Sequence, residues 1–173
     1  LANDDYLDEL VTQVAAVDHV RRLRIHTRLP VVIPDRITGD LLNAITRQQL
    51  QTIVVIHSNH ANELDQGVAA ATAAMRDAGI TLLNQAVLLS GINDNADDLV
   101  TLSERLFEIG VLPYYLHLLD KVQGAAHFDV PEKRGLALIE DITGRLPGYL
   151  VPRLVREDAG AQAKTAITGH VSA

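Results

Sequence analysis

Apolar runs rich in leucine or β-branched residues return at roughly 30-residue intervals, each followed by a stretch with helical spacing. The runs Leu23–His26, Thr52–His57, Thr81–Leu88, Leu112–Leu118 and Tyr149–Val155 predict strands. Between them the punctuation predicts helices. Asp5–Val17 forms an opening helix, and Thr38 starts another through Leu42 and Ile45. A third runs from Asn62 through an alanine-rich stretch to Gly79. Asn95 caps a fourth, with Asp98 at N3; Leu99, Leu102, Leu106 and Ile109 form its apolar stripe, and Gly110 ends it. Pro131 suits the first turn of a last helix through Leu146, with Pro147 and Gly148 as its exit.

Strand and helix alternating through short loops means parallel strands joined by crossovers. Five such strands fit an open doubly wound sheet or part of a β/α barrel. The regular period favours the barrel, and so do the polar clusters where the strands end: His26-Thr27-Arg28, His57-Ser58-Asn59-His60, Asn84-Gln85 and Asp120-Lys121. In a barrel these ends converge on one face, where ligands bind. A complete eight-stranded barrel takes about 250 residues. The expectation is therefore an α/β chain with about five parallel strands and flanking helices, forming part of a barrel. Leu1 in place of an initiator methionine points the same way, to a piece of a longer chain.

Composition narrows the function classes. The chain has 173 residues, 47% of them hydrophobic, enough for a core of its own. Fifteen Lys+Arg against 22 Asp+Glu give a net charge of −7, which argues against a general phosphate-backbone binder. Aromatic residues, at 3%, are too few to stack on nucleic acid. The absence of cysteine excludes disulfides, thiolate metal sites and cluster ligation by these residues. No apolar run reaches the roughly 20 residues that span a bilayer, and no basic leader precedes a short apolar run. A cytoplasmic chain without nucleic-acid or membrane partners is expected.

Lysine is scarce, with only Lys121, Lys133 and Lys164. Only a primary amine forms a Schiff base, so each lysine is a candidate for that chemistry. Lys133, beside Arg134, reads as part of a solvated helix face. Lys164 follows Glu157-Asp158-Ala159-Gly160-Ala161-Gln162-Ala163, a small-residue loop that lets backbone approach a ligand. On local sequence alone a solvated lysine in a flexible tail is the favoured reading. His57 and His60 invite a metal reading, but no cysteine or carboxylate partner accompanies them at a zinc-hydrolase spacing. A cofactor-contacting or structural role fits better. Asn84 and Gln85 lie inside an apolar strand, so their amides either satisfy the core or hold a ligand. Asp120 at a strand end is either a plain ion-pair partner or a clamp for an ammonium group. Gly124-Ala125-Ala126-His127-Phe128 reads as a tight loop over the same end. Walker, dinucleotide and Gly-x-Ser-x-Gly motifs are absent from the sequence.

The order of several segments resembles the lysine 2,3-aminomutase family. They are Pro30-Val31-Val32-Ile33-Pro34-x-Arg36-Ile37-Thr38, His57-x-Asn59-His60-x-Asn62-Glu63 and Leu83-Asn84-Gln85-x-Val87-Leu88-Leu89-x-Gly91-x-Asn93-Asp94. Pro113-Tyr114-Tyr115, Asp120, Gly124-x-x-His127-Phe128, Gly148-Tyr149-x-Val151-Pro152 and Lys164-Thr165 complete the series. The stretch from Tyr114 to Phe128 is most similar to the branch that makes (R)-β-lysine for elongation factor P. The likeness covers nearly the whole chain.

The resemblance implies the C-terminal part of a radical S-adenosylmethionine barrel over residues 1–155, with a pyridoxal phosphate lysine loop and tail over 156–173. It implies an isomerase in which a reduced 4Fe-4S cluster cleaves S-adenosylmethionine, and the resulting radical moves the amino group of lysine from C2 to C3 while pyridoxal phosphate holds it. By position Lys164 becomes the Schiff-base lysine and Asp120 a substrate-binding carboxylate. Glu157 or Asp158 becomes the second acidic clamp, with spacing to Lys164 favouring Glu157. His57, Asn59 and Gln85 line the S-adenosylmethionine side. The family's three-cysteine motif and first two barrel strands, with cofactor-holding arginines, fall outside these residues, so no turnover is expected from this chain alone, and a strand edge stays open to self-association. The glycine-rich run before the lysine is thinned, and Ala166 stands where the family has proline. A Schiff-base lyase or aldolase-like barrel without radical chemistry, and a non-catalytic remnant, are the competing readings.

Overall fold

The computed structural model describes residues 2–47, 49–120, 124–158, 160 and 163–169. Its strands are β1 (Arg22–Thr27), β2 (Gln51–His57), β3 (Thr81–Val87), β4 (Leu112–His117), β5 (Arg153–Arg156) and β6 (Thr165–Ala166). They form one sheet whose spatial order equals the chain order. β1 to β5 are parallel, and β6 turns back antiparallel against β5. A doubly wound sheet reverses its order at a switch point, and this one never does. Successive right-handed crossovers then lay the helices on one face, which is the winding of a barrel. The structure is thus an open arc of β/α barrel, with β1 and β6 at its edges.

The helices are α1 (Asp4–Ala15), α2 (Leu29–Val32), α3 (Gly39–Thr46), α4 (Gln66–Asp77), α5 (Ala96–Glu108) and α6 (Glu132–Thr143). Side chains of Asn3, Thr38, Asp65 and Asn95 accept hydrogen bonds from first-turn N–H groups of α1, α3, α4 and α5. Gly110 closes α5 at φ +76°, and the next amide, that of Val111, donates back to the carbonyl of Leu106. Among the described residues no helix is long and apolar enough to cross a membrane.

The core fills the space between the sheet and its helices. Val54, Ile56, Leu82, Ala86, Leu116 and Leu154 meet Leu41, Val68, Met75, Leu102, Leu106 and Leu138 there. Gly135 of α6 permits the close approach, since a Cβ at that position would lie 3.2 Å from Leu154 and 3.3 Å from Leu118. Strand alternation sends the intervening residues to the concave face: Arg24, His26, Val55, His57, Gln85, Tyr115, His117, Arg153 and Val155. Val55 and Val155 are buried yet stand apart from the helix-side core, as that division requires.

Three expectations need correction. The helix expected from Asn62 begins at Gln66, because Ala61–Glu63 form a 3-10 turn closed by the His60 and Glu63 side chains, and Asp65 is the true cap. The strand expected from Tyr149 begins at Arg153. Gly148–Leu150 form another 3-10 turn, and Pro152 has no N–H for a ladder. The last helix stops at Thr143 rather than Leu146. β6 is additional, and it is too short to leave an apolar alternation in the sequence.

Candidate active site

The carboxyl ends of the parallel strands carry two rows of side chains. His57, Gln85, Tyr115 and Arg153 stand in register across β2 to β5, and Val87, His117, Val155 and Ala166 across β3 to β6. Arg156 pairs with Thr165 in the β5–β6 hairpin, so the next step outward sets Glu157 opposite Lys164. The Lys164 Nζ donates to Glu157 Oε1 at 2.7 Å and lies 2.9 Å from His117 Nε2. It also sits 5.4 Å from the centre of the Tyr115 ring. Arg24, His26, Tyr115, Glu157, Asp158, Ala163 and Lys164 enclose a cavity of about 450 Å³ between β1 and the hairpin. That volume lies in the range of small-molecule sites. A cavity of about 460 Å³ on the other side of β1 is walled mainly by apolar residues of α1, β1 and α3.

The charge states follow from burial and neighbours. Burial first, and the Lys164 charge second, push the His117 pKa down to about 4. His117 is therefore neutral near pH 7 and can accept a hydrogen bond from the Lys164 ammonium. His57 is lowered by burial, then by Arg28 and Lys164. His26 is lowered by burial, then by Arg24 and His57. The rings of His26 and His57 meet edge-on with centres 6.1 Å apart. The hydrogen bond from Lys164 holds Glu157 below the usual carboxylate range. Asp158 has another task. It accepts from Thr165 Oγ1 at 2.6 Å and Arg156 Nε at 2.8 Å, while Arg156 reaches Glu132 of α6 at 2.6 Å. Asp158 and Arg156 thus brace the hairpin that presents Lys164. Of the two neighbouring acids, only Glu157 faces the amine.

The amides divide as sharply. Asn84 is buried and receives the Ser58 N–H at 2.9 Å while donating to the Ser58 carbonyl at 3.0 Å. Asn59 Oδ1 accepts from Val87 N, and Asn93 Nδ2 donates to the carbonyls of Asn59 and Val87. These three side chains staple the loops after β2 and β3. Asn59 is thus turned toward the β3 backbone. By contrast, His57 Nε2 and Gln85 Oε1 are buried and have no hydrogen-bond partner among the described residues.

His60 is engaged locally, its Nδ1 accepting from Asn62 N. Among the described residues no group of three His, Cys, Asp or Glu side chains could hold a metal ion. Asp120 is exposed beyond β4 and does not line the cavity, and Lys121 lies outside the described residues. Lys133 is exposed on α6. Arg24, Tyr115 and His117 are the site residues that sequence reasoning left unassigned. The available signal was alternation: Tyr115 and His117 are two apart on one strand, so they share a face.

No protein-family model matches the chain. Curated relatives do. The L-lysine 2,3-aminomutase of Escherichia coli K12 is 52% identical over 165 residues, covering 95% of this chain and 48% of that protein. The L-lysine 2,3-aminomutase of Haemophilus influenzae is 48% identical over 95% of this chain and 49% of its own length. That of Clostridium subterminale is 35% identical over 96% and 40%. A solved spore photoproduct lyase with bound AdoMet aligns with 96% of this chain and 48% of its own at 16% identity, with a TM-score of 0.45, too slight to argue from. The chain spans about half the length of the curated relatives it matches. Along 95% of its own length it is similar to about half of an L-lysine 2,3-aminomutase.

Proposed function

We propose that this chain is the amine-bearing part of an isomerase that moves the amino group of L-lysine from C2 to C3. The product in this reading is (R)-β-lysine for elongation factor P, made in the cytoplasm. Pyridoxal phosphate is the group proposed for Lys164. The observation that supports the reading is the Lys164 amine itself, held at the carboxyl end of a parallel arc by Glu157 and His117 over a ligand-sized cavity.

The residues fit two of the three groups that such an isomerase uses. Lys164 offers a partly exposed amine beside the cavity, which suits a cofactor carrying an aldehyde. When bound, pyridoxal phosphate supplies a π-system through which nitrogen can pass between adjacent carbons. The orphaned His57 Nε2 and Gln85 Oε1 offer a hydrogen-bonding pair to S-adenosylmethionine. An iron–sulfur cluster does not fit, because the chain has no cysteine. No step through a cluster is assigned to these residues, and turnover by this chain alone is not proposed.

Each side chain then has a task. Neutral His117 and anionic Glu157 fix the position of the Lys164 nitrogen from two sides. Glu157 is also the carboxylate best placed to hold the ammonium of a substrate, and Asp120 is proposed as a second one. Asp158 keeps the hairpin in place. The imidazoles of His26, His57 and His117 add little charge at neutral pH, so the site's cations are arginine and lysine.

Incubation with pyridoxal phosphate, borohydride reduction and peptide mapping tests the reading. The adduct is expected on Lys164 in preference to exposed Lys133, and K164A should abolish it while the fold, read by circular dichroism, persists. Equal labelling of Lys133 and Lys164 would overturn the assignment. An adduct that forms only with simple aldehydes would favour the lyase reading.

A further inference from the structure

The concave face has a charge opposite to that of the whole molecule. The chain carries a net −7. On this face, however, Arg22, Arg24, Arg153 and Lys164 stand with Glu157, which is bonded to Lys164, while Asp158 at the cavity wall is held by Arg156 and Thr165. Six other arginines, at 28, 36, 47, 105, 145 and 156, are paired with carboxylates. Arg24 has no carboxylate partner among the described residues, although it lines the cavity that holds Lys164. Its strand neighbour Arg22 shares the face but does not line the cavity. A guanidinium kept free of carboxylates beside a cavity is a ready fork for an oxyanion.

We infer that Arg24 holds the anionic group, phosphate or carboxylate, of the ligand that condenses with Lys164. This rests on the reading of Lys164 as a carbonyl-accepting amine. The site then has two ends. Lys164 takes the carbonyl carbon, with the amine nitrogen bonding to it and the carbonyl oxygen leaving as water. Arg24, across the cavity on β1, takes the charge. Phosphate on an aromatic aldehyde and carboxylate on an amino-acid-like aldehyde offer the same chemistry to the guanidinium, and they are separated by experiment.

The test is competitive labelling of Lys164 in the full chain, trapped with borohydride and quantified by peptide mapping. One pair of probes is pyridoxal 5′-phosphate against pyridoxal. The other is glyoxylate against propionaldehyde. Exposed Lys133 serves as internal reference for the intrinsic reactivity of each probe. We expect the anionic member of at least one pair to label Lys164 about tenfold more readily than the neutral one after that correction. R24Q should bring the ratio close to one, R24K should retain part of it, and R22Q should leave it unchanged. Added salt should lower the wild-type ratio, since Arg24 is exposed and its attraction is screened.

Loss of preference in the first pair alone assigns Arg24 to phosphate, and loss in the second alone assigns it to carboxylate. The inference is overturned if R24Q keeps the wild-type ratio in both pairs, or if R22Q lowers it as much as R24Q. Preference for glyoxylate with no pyridoxal phosphate labelling would sink the cofactor reading and leave the Arg24 site standing.

Discussion

Asn84 and Gln85 are adjacent in β3, carry the same amide group, and live under opposite rules. Asn84 points to the helix side, where it is buried and both its oxygen and its nitrogen are bonded to the Ser58 backbone. Gln85 points to the concave side, where its oxygen is buried without a partner among the described residues. The same division runs across the sheet. The helix side is mostly apolar, and its buried strand and loop amides, Asn84 and Asn93, are bonded to backbone. The concave side collects three imidazoles, three arginines and a lysine, and leaves polar atoms unpaired among the described residues. An unpaired buried polar group costs stability, so a face that keeps such groups is organised around something other than stability. The comparison teaches that the amide on the helix side is structural, and that the one beside it waits for a ligand.

The comparison breaks most visibly at Asn84. Asn84→Ala would leave the Ser58 N–H and carbonyl unpaired in the core and open a small void. We expect a loss of about 3 kcal/mol in urea unfolding, with unfolding still cooperative. A loss below about 1 kcal/mol would mean that water replaces the amide, and the contrast between the faces would collapse.

The next effect is acid sensitivity, which belongs to the concave side. His117 titrates near 4 in the folded chain against an ordinary 6.5, so as pH falls the unfolded chain takes up its proton first. Its contribution to stability is therefore whole above about 6.5, is lost between 6.5 and about 4, and changes no further below that. His26 and His57, also lowered, act in the same direction. The Glu157 carboxylate adds to the loss at the acid end. Across the window His117 should account for on the order of 2 kcal/mol. Thermal unfolding at pH 7.5 and pH 4.5 checks it. H117N, which keeps an acceptor near Lys164 but cannot be protonated, should flatten the dependence. An equal slope in H117N would assign the sensitivity to other groups.

Much of this arrangement was legible in the sequence, and the exceptions have physical causes. Strands such as Thr52–His57 announce themselves because their helix-facing residues must be apolar. Local punctuation at Thr38, Asn95 and Gly110 marks helix ends because capping is a short-range hydrogen-bond problem. Asn62 misled because Asn59, His60 and Glu63 bond one another into a turn, a competition that a single residue's propensity does not reveal. β6 was illegible because two residues carry no period. In the site, Lys164, Glu157 and Gln85 were named beforehand, yet their grouping depends on strand register. Arg24, Tyr115 and His117 come from β1 and β4, and nothing in the linear order sets them beside Lys164. Asn59 was expected to line the S-adenosylmethionine side, but its oxygen is bonded to the Val87 amide, a use that only the folded loop defines.

The smallest effect on stability is the most telling for function. Gln85→Leu removes a buried oxygen that has no partner and replaces it with a side chain of similar volume. Its stability should change by less than about 1 kcal/mol, and a slight gain is the expected sign, since the lost amide was not repaid by any bond. A ligand that binds only the folded state raises unfolding stability by about 2.7 kcal/mol at a hundredfold excess over its dissociation constant. S-adenosylmethionine should therefore raise the midpoint of the native chain and raise that of Q85L much less, although the variant starts no less stable. H57F, which deletes the neighbouring orphan in the same register row, should behave alike. If both variants respond to S-adenosylmethionine as the native chain does, the unpaired atoms are not a ligand surface. If instead Q85L is destabilised as much as Asn84→Ala, the two faces obey one rule and Gln85 is a structural amide after all.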